Sequence, residues 1–517
     1  MKELIYHRHL LPATEQHADK VAVIDATYRA TYEQHLDRVA RTAGALATLG
    51  VRRDDRVAVM ALNSHRFLEL YHAAFLGAGV VNPLNLRLAP NELAFILADS
   101  GTKVCFTDAF FAKVIDQVRE EVGLEHVVLL GAGDVPHDAD FEELLAAANP
   151  VIPDEPEEQD PVILMYTGGT TGTPKGVLLD QRAELLNLYH VSMAWRIAAD
   201  EVYLHQTPMF HAASMGGIVG VPAYGGTSVI VPLFDPVGVM DAIELNQVTM
   251  TVMVPTMIAM LLNHDAFRAE RIASLRTLTY GASPMPAALL DRVLAAFPTL
   301  DVLQGYGMTE SSAVLTVLGA DEHRAGGARL QSAGRPIQGV VLSIQDAAGN
   351  AVATGVTGEV CARGGNFMRE YWKQANATQE AFRGGWYHTG DAGYLDERGY
   401  LFLVDRVKDM IVTGGENVYS VEVENAIASY PDVAQVAVIG VPDETWGEAV
   451  HAIVVPRAGT HPTEAQIIAH ARKSIAGFKV PKSVEIRTDP LPLSGALKVL
   501  KKDLRAPYWE GRERAVN

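Results

Sequence analysis

Cysteine is scarce: Cys105 and Cys361 are the only two in 517 residues. Both sit in strand-like runs (TKVCFTD and GEVCARG) and not at metal-ligand spacing, so a disulfide framework and a thiolate metal cluster are excluded and a reducing, cytoplasmic setting is expected. Basic residues are also in deficit, 43 Lys plus Arg against 62 Asp plus Glu for a formal net charge of −19. Nucleic acid is therefore not an expected partner, because affinity for a phosphate backbone comes from clustered Lys and Arg. Any polyanionic ligand has to meet a locally basic site. Unbroken apolar runs are missing as well. Residues 206–234 carry no charged side chain and have the length of a membrane span, but Pro208, Pro222, Pro232 and Gly225-Gly226 interrupt them. A buried helix followed by a buried strand is expected there. The opening MKELIYHRHLLPATEQHADK places His and Arg where a signal peptide needs its apolar core, so no export segment is expected.

What is present reads as packed α/β protein. The apolar fraction of 48% and charged fraction of 20% match ordinary globular usage. Apolar strand-like runs alternate with helical patterns in RVAVMALN, FLELYHAAFLGAG, VVNPL, ELAFILADSG and KVCFTD. The alternation returns in QVTMTVMVPTMIAMLL, LRTLTYGAS, PAALLDRVLAAF and LDVLQGYG. Such alternation predicts βαβ units and two α/β lobes with largely parallel sheets. The Pro- and acid-rich 149–161 reads as an exposed connector. From about 334 to 403 short strands punctuated by Gly predict a small β-rich subdomain. A fresh α/β pattern then predicts a helix at 421–429, a strand at 433–439 and a helix near 464–475. The reading is a large N-terminal domain (1–404), a hinge (405–408) and a small, mobile α+β C-terminal domain (409–517).

Four runs carry chemistry. Tyr166-Thr-Gly-Gly-Thr-Thr-Gly-Thr-Pro-Lys-Gly176 follows an apolar strand; glycines let the backbone approach a ligand, and amides, hydroxyls and a lysine suit a phosphate chain. Alone it is equally a Gly/Thr-rich turn, and it is not a Walker A loop, because Gly176 follows Lys175. Gln304-Gly-Tyr-Gly-Met-Thr-Glu310 sets Thr309 and Glu310 at the carboxyl end of a strand, where open α/β sheets bind ligands. In Trp386-Tyr-His-Thr-Gly-Asp391 a carboxylate in a tight turn suits the paired hydroxyls of a ribose. Asp405-Arg-Val-Lys-Asp-Met-Ile-Val-Thr-Gly-Gly-Glu416 lies at the suspected domain boundary.

These runs, in this order and spacing, resemble the adenylate-forming superfamily of acyl-CoA synthetases, nonribosomal-peptide adenylation domains and beetle luciferases, over nearly the whole chain from Thr31-Tyr32 to Arg505. The resemblance implies that a carboxylic acid and ATP give an acyl-adenylate, whose acyl group then passes to a thiol. It implies a phosphate loop at Thr167, Gly168, Gly169, Thr170, Thr171, Gly172 and Lys175. Gly168 departs from the usual TSGTTG and removes one hydroxyl donor. Thr309 is implied beside the α-phosphate, Glu310 and Thr167 toward Mg²⁺, and Asp391 and Arg406 on the ribose. Gly281, Ala282 and Ser283 are implied on the adenine side, beside Gln304, Gly305, Tyr306 and Gly307.

The implied catalytic lysine is Lys498, six positions after Pro492 and followed by Val499-Leu500-Lys501. Ala496 and Leu497 stand where Ser-Gly is usual. An ammonium aimed at the carboxylate and α-phosphate would stabilise charge shared between nucleophile and phosphorus. Lys408 matches the family hinge. Arg87, Gly414, Gly415, Trp446, Phe478 and Lys482 match CoA contacts, and Val480 replaces a basic residue. The span 470–505 has nine Lys plus Arg against three Asp plus Glu, a local basic excess fit to draw CoA.

His211, in Pro208-Met-Phe-His211, matches the position beside the substrate carboxylate, and is otherwise a core histidine. Met215 and Gly216, with Gly281 and Gly305, mark the expected acyl pocket. No charged residue is placed to meet an α-ammonium, so a plain carboxylic acid is expected, with a medium or long fatty acid as the main reading. An aryl or alicyclic acid, or an acyl-AMP ligase loading a carrier protein, are the alternatives. No carrier domain is expected after Arg505, and the CoA-type Phe478 and Lys482 favour CoA. A catalytically dead nucleotide binder is disfavoured by the presence of Lys175, Glu310, Asp391, Arg406 and Lys498 together. The sequence leaves peripheral membrane contact and a homodimer open.

Overall fold

The computed structural model describes residues 2–26, 28–167, 174–283, 285–406, 410–413, 416–443, 445–495 and 497–510, with the side chains of 405, 406, 416 and 417 outside the description. Strands such as Val80–Pro83, Val104–Thr107, Thr227–Ile230 and Met250–Met253 are buried at every position. Apolar runs without alternation require this, since parallel strands are covered by helices on both faces. Among the described residues they build an eight-stranded and a nine-stranded sheet, the two expected α/β lobes. Helix ends follow local chemistry. Thr31 and Gln34 form a reciprocal capping box on Tyr32–Thr48, and Pro90 opens Pro90–Ser100, which Gly101 closes at φ +65°.

The helix His65–Phe75 is buried along nearly its whole length and ties the lobes together. The Tyr71 hydroxyl donates to Met209 O at 2.7 Å, and the Phe75 carbonyl accepts from Gln181 Nε2 at 2.7 Å. Next to it, residues 206–234 depart from the expected single helix. A 3₁₀ turn Ala212–Ser214, a π-helical segment Gly216–Gly220 and a short turn Val221–Ala223 precede the buried strand Thr227–Ile230. Pro222 cannot donate to the helical ladder, and two carbonyls find side-chain donors instead: Ile218 O faces His72 Nε2 at 2.9 Å, and Val219 O accepts from the Tyr6 hydroxyl at 3.3 Å.

The β-rich subdomain is a four-stranded antiparallel sheet of Val341–Gln345, Gly358–Arg363, Tyr387–Leu395 and Leu401–Arg406. Its last strand runs through Asp405 and Arg406, so the start of the hinge read from sequence lies inside a strand. The small C-terminal domain is a separate sheet, with Val433–Asp443 and Gly447–Pro456 as its long hairpin and Ser483–Ile486 added in parallel. Helices Ser420–Ala428 and Glu464–Ala471 cover it. Among the described residues no helix is long and apolar enough to cross a membrane.

Several imidazoles are buried neutral. Burial lowers His72 to about 4 and His205 and His211 to about 3, and takes His35 well below its ordinary value. His35 Nε2 lies 2.8 Å from His72 Nδ1, and since Ile218 O only accepts, the His72 proton is on Nε2. A depressed imidazole pKa stabilises the fold above about 6.5 and is lost as pH falls toward the folded value, up to roughly 1.4 kcal/mol per imidazole and pH unit. Glu184, raised to about 8, acts in the opposite sense but is outnumbered. Denaturant unfolding is expected to show stability falling between about pH 6.5 and pH 4.5; a flat or rising profile would contradict the neutral histidines.

Candidate active site

Two glycines lie toward the carboxyl ends of adjacent parallel strands in the second sheet. Thr277–Gly281 pairs with Asp301–Tyr306 in the register Gly281↔Gly305. A Cβ on Gly281 would overlap the Gly305 carbonyl, whereas a Cβ on Gly305 would meet nothing within 4 Å. Gly305 thus opens on free space at the carboxyl ends of the strands. Ala282, next along, takes φ +66°, and Ser283 follows it. Gln304 Oε1 accepts from the Tyr280 hydroxyl at 3.2 Å.

Carboxylates gather around this opening. The Tyr306 hydroxyl donates to Asp391 Oδ2 at 2.6 Å, and Asp391 faces Arg406 across the pair Tyr387–Leu395 and Leu401–Arg406. The Arg406 side chain lies outside the described residues. The turn before Asp391 is fixed by Glu359, which accepts from Gly390 N at 3.2 Å and lies 2.8 Å from His388 Nδ1, with Arg383 paired to the same carboxylate at 2.8 Å. Thr309 and Glu310 open a 3₁₀ turn, Thr309–Ser311. The Tyr371 hydroxyl donates to Glu310 Oε1 at 2.9 Å, stands 3.4 Å from the Tyr387 hydroxyl, and offers its ring to Lys175 Nζ at 4.9 Å. Sequence reading did not assign Tyr371 a part, because it arrives on the short edge strand Glu370–Tyr371 that adds to Lys175–Asp180. Only pairing across some 190 positions joins them, and no local pattern marks it.

The candidate phosphate loop is closed at its base by Thr167 pairing with Lys175 across Pro161–Thr167 and Lys175–Asp180. Gly168, Gly169, Thr170, Thr171 and Gly172 lie outside the described residues, as do Lys408, Gly414 and Gly415. The described flanks of the latter pair, Thr413 and Glu416, face each other in a tight antiparallel pair.

The small domain delivers Lys498 to the large one. The Thr256 hydroxyl donates to Leu497 O at 2.9 Å, Leu497 packs on the cluster that contains Met257 and Tyr280, and Arg87 Nη1 donates to Leu493 O. Leu497 adopts φ +59°, the left-handed conformation that explains why glycine is usual there, so the departure noted in the sequence keeps the turn at a local strain. The Lys498 charge reaches His211, whose pKa is held near 3 by burial first and by that charge second. Neutral His211 accepts from Ala213 N at 3.1 Å through Nδ1.

Arg87 is engaged between domains, while Trp446 and Phe478 are half exposed, at 50% and 42%, and Lys482 is exposed. Val480, at the position of a basic residue, is buried. Met215 belongs to the core, and the glycines behind it are filled by rings. A Cβ on Gly216 would come within 2.7 Å of Trp195, and one on Gly217 would overlap Tyr203.

Family models of known proteins match the chain in two places, as AMP-binding enzyme over residues 12–372 and as AMP-binding enzyme C-terminal domain over 422–498. The chain belongs to the AMP-binding enzyme family. A feruloyl-CoA synthase of Amycolatopsis is 40% identical over 92% of this chain and 94% of its own length. The long-chain-fatty-acid–CoA ligase FadD13 of Mycobacterium tuberculosis is 36% identical over 93% of both. MatB of Rhodopseudomonas palustris, solved with ATP bound, is 30% identical with TM-score 0.88 over 98% of this chain and 99% of that one; its apo form scores 0.78 over 99% and 100%. These likenesses cover both domains of this family member.

The glycine pair gives a direct check. Gly281→Ala forces two strands apart and is expected to cost about 1–3 kcal/mol of unfolding free energy. Gly305→Ala adds a methyl only to the open cleft, so stability should change by less than about 0.5 kcal/mol. Equal destabilisation by the two would contradict the packing described.

Proposed function

We propose that this protein is an AMP-forming acid–thiol ligase that joins a plain carboxylic acid to CoA through an acyl-adenylate. The observation that carries the reading is the delivery of Lys498, from the small domain, to His211 of the large one. In the proposed first step the Lys498 ammonium offsets charge on the carboxylate and α-phosphate as they approach. Neutral His211 adds no second cation beside it, and Asp391, oriented by Tyr306, takes the ribose hydroxyls with Arg406. Lys175, Thr309 and the loop after Thr167 would hold the phosphates. The Glu310 carboxylate and Thr167 hydroxyl are hard oxygen donors of the kind Mg²⁺ takes, and Mg²⁺ held there would neutralise phosphate charge. The higher likeness to ATP-bound than to apo MatB supports a domain arrangement set for adenylation.

In the proposed second step the small domain turns about Lys408, withdrawing Lys498 and bringing Gly414-Gly415 to the thiol path. Half-exposed Phe478 and exposed Lys482, on a basic segment of an acidic protein, are suited to an incoming nucleotide, as is the half-exposed ring of Trp446. Both cysteines are free and buried, consistent with a cytoplasmic location.

For the acid, the main reading is a medium or long fatty acid, supported by the uncharged 206–234 and by the similarity to FadD13. A second reading, a ring-sized aryl acid, has one observation in its favour: Trp195 and Tyr203 fill the space against Gly216 and Gly217, which would limit the depth of an acyl pocket there. The feruloyl-CoA synthase relative is in line with it. AMP release with and without CoA, for acids from butyrate to palmitate beside benzoate, cinnamate and ferulate, tests both levels. Acid- and CoA-dependent AMP release is expected. Since a buried methylene is worth about 0.8 kcal/mol, kcat/KM should rise about fourfold per CH₂ for a fatty acid enzyme. A flat alkyl series with an aryl optimum selects the second reading, and no acid-dependent AMP release would refute the ligase.

A further inference from the structure

The backbone that presents Asp391 is built on three side chains to which the proposed reaction gives no chemical part. Gly358–Arg363 and Tyr387–Leu395 pair antiparallel, with Glu359 opposite Ala392 and Cys361 opposite His388. Between those pairs the first strand has only Val360, whereas the second has Thr389, Gly390 and Asp391, so the second strand bulges, with Gly390 at φ +71°. Glu359 and Cys361, two apart on one strand, share a face, and His388 meets Cys361 directly across it. Among the described residues, this is one group of His, Cys and acidic side chains whose ligand atoms all lie within 4.8 Å of one another. His388 Nδ1 stands 3.3 Å from Cys361 Sγ and 2.8 Å from Glu359 Oε2.

The imidazole is oriented as a ligating histidine is. Its Nε2 lies 3.2 Å from the Arg383 carbonyl, which only accepts, so Nε2 carries a proton. A backbone carbonyl behind one ring nitrogen is a usual outer partner of a metal-bound histidine. The Nδ1 lone pair of the neutral ring is then aimed at a carboxylate oxygen. Two acceptors 2.8 Å apart repel unless a positive centre lies between them, and a proton or a metal ion can supply it. Burial first, and Glu359 second, push the Cys361 thiol up to about 12, so it keeps its proton until a sulfur-binding cation displaces it. Glu359 Oε1 accepts from Gly390 N at 3.2 Å, which leaves Oε2 for an ion. A competitor for Oε2 is the Arg383 guanidinium, 2.8 Å away. Arg383 is half exposed and the His388 side chain is buried, so the guanidinium stands on the solvent side of the set.

We propose that Glu359 Oε2, Cys361 Sγ and His388 Nδ1 form a site for one thiophilic divalent cation of the Zn²⁺ class, which ties together the two strands that carry the Asp391 bulge. One thiolate, one imidazole and one carboxylate are donors that Zn²⁺ takes, with water completing the coordination. Mg²⁺ prefers oxygen throughout and is excluded by the same set. Tetrahedral bonds to Zn²⁺ put such atoms roughly 3.4–3.6 Å apart, so a small outward shift of the partly exposed Glu359 carboxylate completes the site. Binding releases the thiol proton and any proton held between Nδ1 and Oε2. No spacing along the chain marks the set, because it holds a single thiol and only strand pairing joins it. The inference does not rest on the ligase reading.

The test uses the full chain, stripped of metal by a chelator, with Co²⁺ and Zn²⁺ as probes. Wild-type protein should bind Co²⁺ with a thiolate-to-metal charge-transfer band that Zn²⁺ abolishes. Cys361→Ala should lose the band and weaken Zn²⁺ binding by at least about 100-fold, since loss of an outer partner alone costs 10–100-fold. Cys105→Ala should keep both. Arg383→Ala removes the competing guanidinium but keeps the carbonyl behind Nε2, and should tighten Zn²⁺ binding by about two- to fivefold, the worth of a half-exposed ion pair. Zn²⁺ should slow amide hydrogen exchange over residues 387–392 about tenfold in the wild type and not in Cys361→Ala. If Cys361→Ala does not fold, the Arg383→Ala arm decides through its opposite sign. Absence of the band in the wild type, a band that follows Cys105, Zn²⁺ binding weakened by Arg383→Ala, or exchange over 387–392 that Zn²⁺ leaves unmoved would each overturn the proposal.

Discussion

The site depends on one turn of the small domain being held against the large one. The Thr256 hydroxyl bonds to the Leu497 carbonyl, and the next residue is Lys498. In the proposed reaction, docking of this turn is what brings a cation, in a protein of net charge −19, to the point where two anions would have to meet. The neighbouring imidazole makes that arrangement workable. A protonated His211 would set two positive charges side by side in a poorly solvated place, where Coulomb repulsion is several-fold stronger than in water. Burial keeps His211 neutral, so in the proposed reaction Lys498 would supply the charge and His211 shape and a hydrogen-bonding nitrogen.

The large domain answers with rigid parts. Gly281 and Gly305 bring two parallel strands together and leave a cleft at their ends. Tyr371 links the Glu310 carboxylate to the Lys175 ammonium through one hydroxyl and one ring face. Tyr306 and Glu359 fix the Asp391 turn from opposite sides. Glu310, Lys175 and Asp391 are therefore each held by a side chain distant in sequence.

Much of this was legible in the sequence, for reasons that are local. Continuous apolar runs gave away buried parallel strands, and Gly-punctuated short runs gave away the antiparallel subdomain between 341 and 406. The spacing of glycines, hydroxyls and acids marked the carboxyl ends of strands, where open α/β sheets bind ligands. The remainder was hidden because it depends on tertiary neighbours. The 212–223 segment reads as one helix until His72 and Tyr6 are seen to take its carbonyls. Gly216 reads as room for a ligand, yet its missing side chain makes room for Trp195, as that of Gly217 does for Tyr203. Nothing around Leu497 announces that a leucine will accept a left-handed backbone, and nothing around Asn366 announces that its amide holds the Ser311 carbonyl.

The central claim is that Lys498, delivered by the docked turn, serves adenylate formation and not thiol transfer. The most direct test measures the two half-reactions separately in Lys498→Ala, with a supplied acyl-adenylate for the second. Loss of about a thousandfold in adenylate formation, with transfer to CoA near the wild-type rate, is the expected result. Equal losses in both halves, or adenylate formation that survives the substitution, would contradict the account.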